Sequence, residues 1–509
     1  MKTVKKIPNT RVRRITRTGL TVAGTLLLLA GFLLLSSALW YLRVYGDAGF
    51  DAILFTLTSS LNGVESDLIV SFLKEAALPA FVCTAAAATL IFHKPRRTYR
   101  FYPLNNWAAM GLSLVVTLSL AGTALVMTGG HLYIYDMFHE SEIYEEKYVN
   151  PDSVAITFPE KKRNLIYIFL ESMETTYFSG DQGGALAENI IPELYDLARE
   201  NVNFSESGGV GGFRSPHGTT WTIGAMVAHT SGVPLKTPPT VEDWQNGYGE
   251  DGVFLPGLTN LSDILHEQGY YQSLMVGSVA SFGGRKVYYQ THGTDTIYEL
   301  TTARKAGIVP GDYFVWWGME DLHLFEYAKQ ELTAISQKDQ PFAFTMLTVD
   351  THHVGGCVCE YCGEEHEEQY ENVISCSSRQ VLEFVRWIQA QPFYENTTVI
   401  IVGDHPSMDN GYFERNVDEN HVRRIYNCFL NLPFQAENTK NREFTSLDLF
   451  PTTLAAMGCQ IEGERLGLGT NLFSDRKTLG EEFGSNGFNE ELNMPSNYYT
   501  SEFYFEKSD

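Results

Sequence analysis

The sequence predicts transmembrane helices at the N-terminus followed by an α/β domain whose mostly parallel sheet lies between helices. Three observations predict it. Long apolar runs lie before residue 130, short β-branched runs alternate with amphipathic stretches from Lys161 to Ser474, and charge divides sharply between these parts. Residues 1–130 hold 13 Lys and Arg against 5 Asp and Glu, whereas residues 131–509 hold 24 against 56. With 44% hydrophobic residues the 509-residue chain is neither disordered nor a small disulfide scaffold. Its net charge of −24 gives no general attraction for polyphosphate, and no basic stripe follows residue 105, so no nucleic-acid partner is expected.

Leu20–Val44 reads LTVAGTLLLLAGFLLLSSALWYLRV, uncharged until Arg43 and long enough to cross a hydrocarbon layer of about 30 Å as a helix. A second span is expected at Leu68–Phe92 and a third at Trp107–Met127. The second carries Lys74 and Glu75, near its outer end and within reach of the interface. Between the first two, FDAILFTLTSSLNG is apolar but too short to cross, and is expected to be external or interfacial. Basic residues crowd before the first span (Lys2, Lys5, Lys6, Arg11, Arg13, Arg14, Arg17) and between the second and third (His93, Lys94, Arg96, Arg97, Arg100). Three spans put both clusters on one side, which the positive-inside rule makes cytoplasmic, so the acidic remainder is expected outside. Ser36-Ser37-Ala38 has the small residues of a signal-peptide cleavage site, but the apolar run is too long and two spans follow. The expected organisation is an anchor over 1–130, a linker over 131–160, the α/β domain over 161–474 and a polar, Asn- and aromatic-rich loose tail over 475–509.

Within the domain, NLIYIFLE (Asn164–Glu171), YQSLMVG (Tyr271–Gly277), FAFTMLTV (Phe342–Val349) and TTVIIVGD (Thr397–Asp404) read as buried strands. Ile191–Glu200, Leu258–Gln268, Met319–Lys338 and Ser377–Gln391 read as helices between them. Ligands of open parallel sheets gather beyond the carboxyl ends of the strands. There the sequence places Glu171, then Asp350-Thr351-His352-His353, then Asp404-His405. Strand-end acids also start turns and cap helices, but carboxylates and imidazoles delivered together to one edge suit a divalent cation with mixed oxygen and nitrogen ligands. In SPHGTTWTIGAMVAHTSGVPL, Thr219 is expected at or just before the N-terminus of a helix over Trp221–His229, where backbone N–H groups favour a phosphate or sulfate. A Thr hydroxyl is a weak nucleophile unless a base or metal lowers its pKa, and Thr219 and Thr220 also suit plain N-caps.

Taken in order, NLIYIFLES, GTTWTIGAMVA, TVDTHH, IIVGDH and SLDLFPTTLAAMG with LGLGTNLFS resemble the lipoteichoic acid synthase and phosphoglycerol transferase branch of the alkaline phosphatase and sulfatase superfamily. The likeness covers Asn164 to Ser474, and the multi-span anchor is also typical. GTTWTIGAMVA and DTHH look closer to the membrane phosphoglycerol transferases that decorate periplasmic glucans. The resemblance implies a sulfatase-like catalytic domain on the extracytoplasmic side of the bacterial plasma membrane. It makes Glu171, Asp404 and His405 ligands of one divalent cation, Mn2+ before Mg2+ or Zn2+, with Thr219 as nucleophile and fourth ligand. Thr219 is preferred to Thr220 because related branches place a G-[hydrophobic]-P turn fifteen residues after the nucleophile, and Pro234 lies fifteen after Thr219. His352 matches a histidine that holds the substrate phosphate or glycerol, and Arg285 matches a basic phosphate contact. The chain departs from lipoteichoic acid synthase just before Arg285, where Gly283 replaces an aromatic residue. His353 and Asp350 are either acceptor-side or supporting residues, or simply finish the strand.

The implied reaction is ping-pong. Thr219 attacks phosphatidylglycerol, diacylglycerol leaves, and a hydroxyl of an envelope glycan or glycerophosphate polymer displaces the glycerophosphoryl group. Phosphoethanolamine transfer uses the same kind of nucleophile. A sulfatase is disfavoured because Ser215-Pro216 lacks the C/S-x-P-x-R pattern, and a two-metal phosphatase because no second ligand set stands out. A silent sensor or glycan-binding module would not need the complete ligand set. Cys357, Cys359, Cys362 and Cys376 form C-x-C-x2-C plus a fourth cysteine, which suits either disulfides or a structural zinc; the expected outside location favours disulfides. Cys83 lies in a span, and Cys428 and Cys459 read as core.

Overall fold

The computed structural model describes residues 10–46, 50–58, 66–92, 105–136, 138–237 and 252–505. The chain divides into two compact units, residues 1–47 with 65–134, and residues 48–64 with 135–509.

In the first unit, three helical stretches are long and apolar enough to cross a membrane: Ile15–Tyr45, Leu68–Phe92 and Asn106–Met127. They coincide with the expected spans, and they make this a membrane protein. We label the α-helices α1 (Thr10–Tyr45), α2 (Leu78–Phe92) and α3 (Asn106–Met127). A Cβ on Gly31 of α1 would lie 3.0 Å from the Cα of Thr117 in α3, so a small residue sets how closely these helices approach. The second candidate span is interrupted by a π-turn, Leu73–Ala77, between the helix Ser66–Phe72 and α2, and the turn contains Lys74 and Glu75. Glu75 pairs with Arg43 at the end of α1, so its charge is met within the unit. The basic clusters of the sequence lie outside the described residues or their described side chains, apart from exposed Arg17. Of FDAILFTLTSSLNG, Phe50–Thr58 is helical and the rest lies outside the described residues.

The second unit is built on seven strands: β1 (Asn164–Leu170), β2 (Gly212–Phe213), β3 (Tyr271–Val276), β4 (Thr296–Tyr298), β5 (Phe342–Leu347), β6 (Thr397–Gly403) and β7 (Ile425–Leu430). Their order is β2-β7-β6-β1-β5-β3-β4. The run from β6 to β4 is parallel, while β7 is antiparallel to both β6 and β2. Strands β1 and β6 are almost wholly buried, as a parallel sheet covered on both faces requires. The four strands expected from sequence are β1, β3, β5 and β6, and β1 is central. Its register sets Phe169 beside Leu347 and Leu170 beside Gly403, so Glu171, Thr348 and Asp404 leave the sheet side by side.

Three further helices matter for the site: α4 (Thr222–Ser231), α5 (Asp321–Ile335) and α6 (Gln369–Gln389). Helix α6 starts eight residues earlier than its sequence signal, because Tyr370, Val373 and Ile374 continue the buried face behind a polar first turn.

The segment after residue 474 corrects the expected loose tail. It forms helices Leu479–Phe483, α7 (Ser485–Asn493) and α8 (Asn497–Phe503), and buries Leu479, Phe488, Leu492, Tyr499 and Phe503. Tyr499 packs edge-on against Tyr144 at 5.5 Å and donates its hydroxyl to Pro234 O at 2.9 Å. Lys236 Nζ donates to Leu492 O. These aromatics are core, and they brace the chain just after α4. Replacing fully buried Leu492 with Ala is expected to destabilise the unit by about 2–5 kcal/mol. Thermal unfolding of the full chain checks this: the midpoint falls, whereas an unchanged midpoint contradicts the packing.

Candidate metal centre and nucleophile

The carboxyl end of β1 is tied to both neighbours by backbone groups. Thr348 N donates to Phe169 O at 3.0 Å and Asp404 N to Leu170 O at 3.1 Å. Thr348 Oγ1 accepts Glu171 N at 2.9 Å, and Asp404 Oδ1 accepts both Ser172 N and His405 N at 2.8 Å. Ser172 takes a left-handed backbone, φ 54°, which an L-residue holds only under constraint from its surroundings.

With Oδ1 so engaged, Asp404 Oδ2 is buried without a hydrogen-bond donor. It lies 3.4 Å from His405 Nε2, and Glu171 Oε1 lies 3.6 Å from the same nitrogen. His405 Nδ1 sits 2.9 Å from Pro406 O; a donated N–H there leaves Nε2 with its lone pair toward the carboxylates. The three ligand atoms lie within 4.8 Å of one another. Two buried carboxylates this close repel by roughly 3–4 kcal/mol at an effective dielectric of 20, a term that a cation between them reverses. Oxygen, oxygen and imidazole donors, one carrying an unspent lone pair, fit a divalent ion. Burial and Glu171 push the Asp404 carboxyl up to about 7 despite its backbone donors and His405. Burial lowers His405, but Asp404 and Glu171 outweigh it and hold the imidazole above its ordinary value.

The threonine loop also brings up a hydroxyl that the sequence reading passed over. Gly218 has φ +78°, and a Cβ there would meet Leu235 O at 2.8 Å. The chain then turns on Pro216 O, which accepts both Thr219 N (3.1 Å) and Thr219 Oγ1 (2.8 Å). Thr219 is fully buried and its hydroxyl proton is engaged in that turn. Three residues later, Thr222 opens α4 with Trp221 as N-cap, and its Oγ1 is 3.3 Å from His405 Nε2. The hydroxyl at the ligand group is therefore that of Thr222, at a helix N-terminus whose free N–H groups favour an anion. Thr222 went unnoticed in the sequence, although apolar periodicity starting at Ile223 marks it as the first helical position.

Arg285 is buried after two left-handed glycines, Gly283 and Gly284. Burial lowers its guanidinium to about 10 while Glu171, Asp404 and Glu299 raise it, so it feels the ligand carboxylates directly. It donates to Phe282 O, Ser278 Oγ and Val279 O. Gly283 takes φ +65°, a left-handed conformation that favours glycine. Trp317, also unnoticed in the sequence, packs its ring 4.6 Å from His352, which stacks on His353 at 4.5 Å. Burial pulls His352 down to about 4 and His353 well below its ordinary value, so both are neutral near pH 7. Of the cysteines, Cys359, Cys362 and Cys376 converge, whereas Cys357 is not in their group.

Two structural supports also lacked a sequence signal. Glu174 accepts Ser407 N at 2.7 Å and pairs with Arg423, which fixes the turn after His405. Asp321, at the start of α5, accepts Val349 N (2.7 Å) and Asp350 N (3.1 Å), while Asp350 Oδ1 accepts Asp321 N (3.1 Å). Asp350 thus locks the exit of β5.

A family model described as sulfatase matches residues 163–459. The chain belongs to the sulfatase family. Within it, the chain is 31% identical over 393 residues to phosphoglycerol transferase I of Xanthomonas campestris, covering 75% of this chain and 52% of that protein. It is 30% identical over 402 residues to phosphoglycerol transferase I of Salmonella choleraesuis, covering 76% and 49%. This sulfatase-family chain thus spans about half the length of the curated relatives it matches. The integral membrane protein lipooligosaccharide phosphoethanolamine transferase A of Neisseria meningitidis shares the fold, with a TM-score of 0.51 at 15% identity, covering 84% of this chain and 83% of that one.

The Asp321–Asp350 pair gives a pH dependence. Burial lifts Asp321 to about 7, and burial with the neighbouring Asp321 charge lifts Asp350 well above the usual carboxylate range. The folded state then keeps protons that the unfolded chain releases, so the contribution of Asp321 to stability falls as pH rises from about 4 to about 7, and that of Asp350 falls in the same direction as pH rises above its unfolded value. Asp350→Asn is expected to shrink the fall in unfolding midpoint between about pH 5 and about pH 8. An equal or steeper fall in the variant contradicts this account.

Proposed function

We propose that this protein is a membrane-anchored, metal-dependent phosphotransferase that moves glycerophosphate from phosphatidylglycerol to a hydroxyl of an envelope glycan or glycerophosphate polymer, through a threonine intermediate. One observation carries the reading: Glu171, Asp404 and His405 meet a threonine hydroxyl at a helix N-terminus, Thr222 Oγ1 lying 3.3 Å from His405 Nε2. The names of the curated relatives favour phosphoglycerol as the transferred group.

A divalent cation, when bound by Glu171, Asp404 and His405, supplies positive charge beside the threonine oxygen and lowers its pKa. Mn2+ is our assignment, from the mixed oxygen and nitrogen donors and the family resemblance. Thr222 attacks phosphorus, the Oγ–P bond forms, and the P–O bond to diacylglycerol breaks. The acceptor hydroxyl then displaces Thr222. Arg285 and the N–H groups opening α4 face the charge on the non-bridging oxygens. His352, neutral against Trp317, offers a hydrogen bond to the glycerol or phosphate without adding charge. His353 supports its ring. A membrane anchor suits a donor whose headgroup must react without leaving the bilayer. The basic clusters of the anchor favour a multi-pass topology in the bacterial plasma membrane with the second unit outside.

The test is release of diacylglycerol from labelled phosphatidylglycerol by the detergent-solubilised chain with Mn2+. Thr222→Ala is expected to reduce release to background, and Thr219→Ala to keep most of it, having lost one internal hydrogen bond worth about 1 kcal/mol. Release lost in Thr219→Ala and kept in Thr222→Ala returns the nucleophile to Thr219. Release from phosphatidylethanolamine alone replaces the transferred group with phosphoethanolamine.

A further inference from the structure

The loop that leaves β5 carries His352 and His353 and then Cys359 and Cys362, while Cys376 projects from α6. Cys359 Sγ lies 3.7 Å from Cys362 Sγ and 3.7 Å from Cys376 Sγ, and all three sulfurs fall within 4.8 Å of one another. A disulfide requires about 2.0 Å. Sulfurs held about 2.3 Å from a tetrahedral ion are instead about 3.8 Å apart, which is the spacing of Cys359 to its two neighbours.

The surroundings are those of thiolates rather than of a covalent cross-link. Cys362 N donates to Cys359 O at 3.0 Å, closing the C-x2-C turn. Gln380 Nε2 donates to Cys376 Sγ at 3.4 Å and to Cys359 Sγ at 3.7 Å. An amide donor aimed at two of the sulfurs is the kind of contact that orients and stabilises metal-bound thiolates.

We propose that Cys359, Cys362 and Cys376 bind one thiophilic divalent cation, Zn2+ by its preference for thiolate ligands, with water in the fourth position. Binding displaces three thiol protons to solvent and transfers no electrons, so no oxidant is required. The ion stays separate from the Glu171, Asp404 and His405 group, which contains no sulfur. It fastens the loop after β5 to α6, adding to the bonds from Tyr370 OH to Thr351 O (2.9 Å) and from Cys357 N to Asp350 O (2.7 Å). His352 is thereby fixed from behind. The inference does not depend on the donor lipid or on the reaction proposed above.

Cobalt titration of the metal-stripped, reduced, full-length protein in detergent tests it. One equivalent of Co2+ is expected to produce thiolate-to-cobalt charge-transfer absorption in the near ultraviolet, which Zn2+ then abolishes. The absorption is expected to vanish in Cys359→Ser and Cys376→Ser and to persist in Cys357→Ser and Glu171→Gln. Absence of the band in the wild-type protein overturns the proposal whether or not the variants fold. So does its persistence in Cys376→Ser or its loss in Cys357→Ser. Unreduced peptide mapping of the protein as purified that finds Cys359 joined to Cys362 or Cys376 also overturns it.

Discussion

Asp404 is gripped through one carboxylate oxygen by the N–H groups of Ser172 and His405, and the rest of the site follows from where this leaves the other oxygen. The grip exists because β6 pairs with β1 in parallel register, so that the turn after Leu170 passes beneath the residue after Gly403. Neither bond forms if the register slips, since a one-residue shift turns every side chain to the opposite face. The left-handed backbone at Ser172 belongs to the same constraint: it bends the chain so that its N–H meets Asp404 while Glu171 faces His405. Two carboxylates and an imidazole nitrogen are thus crowded into a buried group whose repulsion a shared positive charge would relieve.

The threonine hydroxyl beside His405 depends on a second constraint, the direction of α4. Gly218 and the turn on Pro216 O use up Thr219, and only after three more residues does the helix axis begin, with Thr222 in its first turn. The C-terminal helices hold the other end of this element through Tyr499 on Pro234 and Lys236 on Leu492. A segment more than 260 residues away in sequence therefore helps to aim the hydroxyl.

Much of this was legible in the sequence, because buried parallel strands are written as continuous apolar runs and their last residues are polar. Glu171, Asp404 and His405 stood out on that ground, as did the three spans on length and hydropathy. Strand β7 did not, since Asn427 and Cys428 interrupt its apolar run; the Asn427 amide is satisfied by Phe204 on the neighbouring segment, a tertiary bond with no local signature. Strands β2 and β4 are too short to carry a period. The tail misled because Asn and aromatic residues suit both solvent and core. The choice of Thr219 over Thr220 rested on spacing to Pro234, a count that carries no sign of Thr222, whose approach to His405 is a tertiary contact. The cysteines were legible as a cluster but not as three plus one, because the meeting of Cys359 and Cys362 with Cys376 of α6 is a tertiary contact that spacing does not encode.

The central claim is a covalent glycerophosphoryl-threonine at the point where the strand ends meet α4. Mass spectrometry of peptides from the full-length protein, quenched after incubation with phosphatidylglycerol and Mn2+ without acceptor, tests it most directly. The account predicts one phosphoglycerol adduct, on Thr222, that disappears when an acceptor hydroxyl is supplied. An adduct on Thr219, or none in protein that has released diacylglycerol, contradicts it.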